Sequence, residues 1–273
     1  MTTVRDIRAK AGQERITMVT AYDGPAAEIV DGAGVDIALV GDSLGNTTLG
    51  YDTTLPVTVE DMARHVGAVS RSIDDALVVA DMPFLSVGVS RAESIRNAGR
   101  MIKEEGAEAV KLETGPHTVD LTERLTQLGI PVMAHLGLTP QRVNEYGGHP
   151  RQGTDREAAE EIVDLAKEHE TAGAFSLVLE HVPANLARAV TEAIDIPTIG
   201  IGAGPDCDGQ VLVFHDIVGL SEWTPSFSEQ YGNAREEMES AIEAYARDVR
   251  EGDFPGPEHS YEAEELDDLE SLD

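Results

Sequence analysis

Six polar residues stand where short apolar runs end, and their types describe a reaction site. Asp42 follows Ile-Ala-Leu-Val-Gly, Asp81 follows Ala-Leu-Val-Val-Ala, and Lys111 and Glu113 flank Leu112 in Ala-Val-Lys-Leu-Glu. His135 follows Pro-Val-Met-Ala, and Glu180 follows Phe-Ser-Leu-Val-Leu. Asp42, Asp81 and Glu113 offer hard oxygen ligands with no cysteine cluster or paired histidines beside them. That set favours Mg²⁺ over zinc, with water and a substrate completing the octahedron. Alone, each acid reads equally well as a loop cap or a surface charge; three on successive strand ends weaken that reading. Lys111 is either a salt-bridge partner of Glu113 or a working cation. The chain has only four lysines (Lys10, Lys103, Lys111, Lys167) against sixteen arginines, and a buried strand is a poor place for an idle one. His135 is as readily structural as catalytic.

These side chains converge only if the runs before them are parallel strands whose C-terminal ends share a rim, the place where barrels of this kind carry their chemistry. Residues 16–21, 36–40, 76–80, 109–112, 131–134, 175–179, 197–201 and 211–214 are short and largely apolar, as strands buried on both faces should be. Helical periodicity fills residues 25–32, 59–72, 91–105, 119–128, 156–172 and 184–193. Ser90-Arg-Ala-Glu93 reads as a capping box and Thr58-Val-Glu-Asp61 as a similar start signal. Eight strands with interposed helices predict an α/β fold, a closed (β/α)8 TIM barrel. In a strand, Lys111 and Glu113 lie on one side. A further helix is expected over 231–250, followed by the breaker Phe254-Pro-Gly-Pro257. Residues 1–257 then form a single catalytic domain, and 258–273 an acidic, disordered tail. Gly200-Ile-Gly-Ala-Gly204 is either a phosphate cradle or a tight turn, and Cys207 has no histidine near it in sequence.

The 273 residues carry 51 acids against 20 bases, a net charge of −31. The last sixteen residues hold only eight of those acids, so the acidity belongs mostly to the folded body. Such a surface repels nucleic acid and anionic membrane. It is expected of a halophilic protein, in which salt screens self-repulsion over about 3 Å at 1 M. No apolar run approaches the roughly 18 residues of a membrane span. Met1-Thr-Thr-Val-Arg-Asp lacks the pattern of a signal peptide, and the single cysteine excludes an intramolecular disulfide. A cytoplasmic location is the expectation.

Val40-Gly-Asp-Ser-Leu-Gly45, Thr54-Leu-Pro-Val-Thr58, Ala80-Asp-Met-Pro-Phe84 and Ala107-Glu-Ala-Val-Lys-Leu-Glu113 resemble, in order, the ketopantoate hydroxymethyltransferase family. His135-Leu-Gly-Leu-Thr-Pro-Gln141, Leu177-Val-Leu-Glu-His-Val-Pro183, Pro197-Thr-Ile-Gly-Ile-Gly-Ala-Gly204 and Asp208-Gly-Gln-Val-Leu-Val213 extend the resemblance, which covers residues 1–257. It implies a barrel of the phosphoenolpyruvate/pyruvate superfamily that transfers a hydroxymethyl group from 5,10-methylenetetrahydrofolate, or a related pterin, to 3-methyl-2-oxobutanoate. The product, 2-dehydropantoate, lies on the route to pantothenate and coenzyme A. The resemblance further implies Asp42 and Asp81 as Mg²⁺ ligands, with Glu113 a third acid at the metal. Asp42, Ser43, Asp81 and Lys111 become keto-acid contacts, His135 a polar neighbour of the substrate, and Glu180 the proton acceptor. Large homo-oligomers, often decamers, are implied as well. Thr114 departs from the pattern, since many relatives have glycine after the glutamate. The rival readings are a Mg²⁺-dependent carbon–carbon lyase or mutase of the same superfamily, which typically uses a cysteine-bearing loop not found in this chain, a Schiff-base aldolase using Lys111, and an inert binding barrel.

Overall fold

A computed structural model describes residues 1–263. Eight parallel strands close into a barrel in chain order. They are β1 (Ile16–Thr20), β2 (Ile37–Val40), β3 (Leu77–Asp81), β4 (Ala109–Glu113), β5 (Val132–Gly137), β6 (Ser176–Glu180), β7 (Thr198–Ile201) and β8 (Gly209–Leu212). The helices are α1 (Val4–Ala9), α2 (Gly24–Gly32), α3 (Leu44–Thr47), α4 (Val59–Ser70), α5 (Arg91–Lys103), α6 (Val119–Gln127), α7 (Val143–Tyr146), α8 (Arg156–Thr171), α9 (Ala184–Ala193), α10 (Phe214–Val218) and α11 (Ala234–Glu251). The (β/α)8 barrel is therefore the fold that the alternation predicts.

Strand alternation divides the apolar residues into two layers. One phase points inward: Leu77 and Val79, Ala109, Met133, Val178 and Ile199 pack together with Ile7 of α1 inside the barrel. The other phase, including Val78, Ala80, Val110 and Leu112, packs outward under the helices. Continuing the inward phase by two residues at the C-terminal ends of β3–β6, and by two more in β4, replaces aliphatics with Asp81, Lys111, Glu113, His135 and Glu180. The apolar floor and the polar rim are thus successive layers of one barrel interior.

Four local features refine the sequence expectation. β8 is Gly209–Leu212 rather than 211–214, because pairing with β1 sets Ile16 opposite Gly209 and Val19 opposite Leu212. A side chain at 209 would place its Cβ 2.5 Å from the Ile16 carbonyl oxygen, so the strand must begin on a glycine. The Phe214 N–H then donates to Thr20 Oγ1 (2.9 Å) and turns the chain into α10. Second, α1 is too short to show periodicity; it is set by a Thr3–Asp6 capping box and by burying Ile7 completely. Third, residues 202–208 join β7 to β8 without a helix. Fourth, Thr58 and Asp61 cap α4 reciprocally, whereas Ser90 accepts from the Glu93 N–H (3.2 Å) while the Glu93 side chain stays in solvent and returns no bond. The last helix starts at Ala234, later than 231. The expected tail begins inside a 3-10 turn, Pro257–His259, and its residues 264–273 lie outside the described residues. None of the described helices is long and apolar enough to cross a membrane.

Candidate active site

Four consecutive strand ends carry a row of close polar contacts. Lys111 Nζ lies 2.7 Å from Asp81 Oδ2 and 3.3 Å from His135 Nδ1. On the far side of the ring, Glu180 Oε2 lies 3.1 Å from His135 Nε2, off the line of a well-directed hydrogen bond. Parallel pairing makes this possible, since Asp81 stands in register with Lys111, Glu113 with His135, and Gly137 with Glu180. Asp81, Lys111 and His135 are 2%, 5% and 2% exposed; the Glu180 side chain, at 17%, opens toward the mouth.

Electrostatics assigns protonation along the row. Burial pulls the Lys111 ammonium down, but the charges of Asp81, Asp42 and Glu113 outweigh it and hold the pKa above the ordinary lysine value. Burial, helped by the charge of Lys111, lowers His135, with Glu180 opposing. His135 is therefore neutral beside a protonated lysine. Its Nδ1 accepts from Lys111, which puts the ring proton on Nε2, facing Glu180.

Asp42 lies beyond the end of β2, in the turn entering α3, and its N–H donates to Asp81 Oδ2 (3.4 Å). Burial, then the charge of Asp81, raises its pKa to about 7. Glu113 is raised well above its ordinary value, first by burial and then by the charge of Asp42. Ser43 Oγ shares a 2.8 Å hydrogen bond with the hydroxyl of buried Tyr22. Thr114 ties two strand ends together: its hydroxyl donates to the His135 carbonyl (2.8 Å) and accepts from the His135 N–H (3.2 Å). Gly137, at φ +94°, lets β5 press against β6 beside Glu180, where a Cβ would collide with the Glu180 carbonyl oxygen. The Leu138 N–H donates to that same oxygen (2.8 Å).

Asp81 Oδ1 is buried and has no partner among the described residues. A carboxylate oxygen left bare in the interior fits a cation, because an unpaired buried acceptor is otherwise costly. Among the described residues no three His, Cys, Asp or Glu side chains are gathered closely enough to hold an ion unaided. Asp42, Asp81 and Glu113 are thus not a preassembled cage. Mg²⁺ suits such a site, since it keeps several waters and takes one or two carboxylates together with substrate oxygens.

Sequence reasoning missed Gln141, Tyr22 and the strained His181. His181 follows Glu180 at φ +50°, its N–H bonded to the Ile201 carbonyl (2.9 Å) and its carbonyl to the Gln152 N–H (3.1 Å). Gly200-Ile-Gly-Ala-Gly204 is the tight turn, with Gly202 and Gly204 at positive φ and Gly200 packed against Cys207. Cys207 is fully buried in the helix-facing layer, away from the rim. A cleft of about 800 Å³ between α8 and α9 contains none of the rim residues.

A family model described as ketopantoate hydroxymethyltransferase matches residues 1–257. The 3-methyl-2-oxobutanoate hydroxymethyltransferase of Haloarcula marismortui is 67% identical over 269 residues, covering 98% of this chain and 100% of the relative. That of Natronomonas pharaonis is 66% identical over 265 residues, covering 97% and 98%. Among solved structures, 2,3-dimethylmalate lyase, a member of the PEP mutase/isocitrate lyase superfamily, superposes with TM-score 0.59 at 16% identity, covering 95% of this chain and 93% of that one. Phosphonopyruvate hydrolase in complex with oxalate and Mg²⁺ gives TM-score 0.61 at 14% identity, covering 99% and 95%. At such identities these two share the barrel fold alone with this chain.

Proposed function

The chain belongs to the ketopantoate hydroxymethyltransferase family, and on that premise we propose that it transfers a hydroxymethyl group to C3 of 3-methyl-2-oxobutanoate, giving 2-dehydropantoate for pantothenate and coenzyme A synthesis. The one-carbon donor is 5,10-methylenetetrahydrofolate or a related pterin, whose methylene carbon bonds to C3, with one water supplying the hydroxyl and the tetrahydropterin released. Residues 1–257 act as the catalytic domain. The observation that carries the reading is the row Asp81–Lys111–His135–Glu180. It offers a bare buried oxygen at one end, a fixed positive charge beside it, and a mouth-facing carboxylate at the other.

Asp42 and Asp81 would hold Mg²⁺, with Glu113 as a further acid beside them. Bound there, the ion supplies Lewis-acid polarisation of the carboxylate and ketone oxygens of a 2-oxo acid, stabilising charge as the C3 proton leaves. Lys111 stays protonated and donates to the ketone oxygen, which gains charge in the transition state. A protonated amine cannot form a Schiff base, and the three acids near Lys111 keep it so. Glu180 accepts the C3 proton. His135, neutral, sets its Nε2 edge 3.1 Å from Glu180 and bounds that carboxylate on the ring's side away from Lys111. Ser43, braced by Tyr22, adds a hydroxyl to the keto-acid site. The burial of Cys207 disfavours a lyase that needs a cysteine at the rim. Incubating the protein with Mg²⁺, 3-methyl-2-oxobutanoate and methylenetetrahydrofolate should yield 2-dehydropantoate by mass spectrometry. Cleavage of a 2-oxo acid without hydroxymethyl transfer would replace this reading with the lyase.

We further infer a cytoplasmic, salt-adapted homo-oligomer, decameric as in the family. α11 buries no residue in the single chain, and its Met238, Ile242, Tyr245 and Val249 are 45–67% exposed. Their spacing aligns them along one helix face, which supports assembly. The two relatives named above come from halophilic archaea, and the charge of −31 repels itself unless screened. In molar KCl the chain should run as one large species by light scattering with its highest melting temperature. In dilute buffer it should dissociate or melt earlier. An unchanged mass and melting temperature after dialysis would refute salt adaptation, and a monomer in molar KCl would refute the assembly.

A further inference from the structure

Gln141 follows Pro140 in the 3-10 turn Pro140–Arg142, in the segment between β5 and α8. It reaches the loops or ends of three other strands. Its N–H donates to both oxygens of Glu113 (3.1 and 3.2 Å). Its side-chain Nε2 donates to Asp42 Oδ2 (2.8 Å) and to the Met82 carbonyl (3.0 Å). Both protons of the planar amide are thereby committed, one to the carboxylate beyond β2 and one to the backbone just beyond β3. Asp42 needs such a hold. It sits off the inward phase of β2, so strand geometry does not aim it, and Gln141 is the side chain that donates to it among the described residues.

We propose that Gln141 is a positioning residue that pins one oxygen of Asp42 and leaves the other directed at the cation. An amide suits this role because it orients the carboxylate without neutralising the charge the cation needs, as a lysine or arginine would. Hydrogen bonds to ligating carboxylates are typically worth 10–100-fold in metal affinity. The inference rests on the Mg²⁺ reading above.

The test is calorimetric titration of Mg²⁺ into the full-length protein without keto acid. Gln141→Met keeps the bulk of the side chain and loses both donors, while the backbone bond to Glu113 persists. It should bind Mg²⁺ about tenfold or more weakly than wild type with a nearly unchanged melting temperature. The Mg²⁺ concentration for half-maximal turnover should rise by the same factor, and excess Mg²⁺ should restore most of kcat. Gln141→Asn, one methylene too short to reach Asp42, should behave alike and provides the reading if the methionine variant does not fold. Wild-type Mg²⁺ affinity in either folded variant overturns the positioning role alone. A wild-type protein that takes up no Mg²⁺ overturns the metal reading and this inference with it. A lowered melting temperature with unaltered Mg²⁺ affinity makes Gln141 a structural tie of the loop, and likewise overturns it.

Discussion

In D₂O the wild-type protein with Mg²⁺ exchanges the C3 hydrogen of 3-methyl-2-oxobutanoate for deuterium, and Glu180→Gln slows that exchange by about 10²–10⁴-fold, the usual worth of general-base assistance. Proton NMR follows the step with no folate present, because deprotonation precedes attack on the methylene carbon. Gln keeps the length of the side chain and an uncharged oxygen beside His135 Nε2, so the shape of the site is held while the base is lost. Stability should change little. His135 is pushed toward the neutral form by burial and by Lys111, so no charged pair is broken by removing the carboxylate. If Glu180 served only as a structural partner of His135, the variant would exchange normally per folded molecule. Near-normal exchange in a folded Glu180→Gln protein would move the base elsewhere, with His135 the next group within reach.

Asp42→Asn and Asp81→Asn both abolish turnover and weaken Mg²⁺ binding, yet they move the stability of the metal-free protein in opposite directions. Asp42 in the folded state titrates at about 7 against an ordinary 3.8, raised first by burial and then by Asp81. The folded protein therefore binds the proton more tightly than the unfolded chain does. Its stability falls as pH rises from about 4 to about 7, and above that range the full cost of burying the charge is present. Asparagine removes that cost and can still accept from Gln141, so Asp42→Asn should melt no lower than wild type at pH 8 and should lose this part of the pH slope. Asp81 is the 2.7 Å partner of buried Lys111. Breaking a buried pair costs up to about 3–5 kcal/mol, softened here by Asp42 and Glu113, whose charges also bear on Lys111. Asp81→Asn should thus melt well below wild type. Calorimetric Mg²⁺ titrations and melting curves from pH 5 to 8 read both effects. Wild-type Mg²⁺ affinity in both variants would remove these residues from the metal site.

The strand-end residues were legible because two local regularities suffice to find them. A buried parallel strand writes a continuous apolar run, and a two-residue period tells which side chains share a face. Eight such runs, four consecutive ones ending on polar residues, already imply one rim holding Asp81, Lys111, Glu113, His135 and Glu180. The resemblance to a family added roles that periodicity alone leaves open. What only tertiary structure decided are the relations with no local signature. The first residue of β8 depends on where β1 leaves room for a glycine and nothing larger. α1 exists because Ile7 closes the barrel floor, a demand made by residues far along the chain. Asp42 escapes the strand period altogether and is aimed by Gln141, some hundred residues away, through a loop whose course follows from closure of the barrel. The neutral state of His135 likewise arises from burial and from Lys111 on the neighbouring strand. Periodicity is a property of successive residues, whereas ligand aim and protonation depend on distances across the barrel that exist only once it is closed.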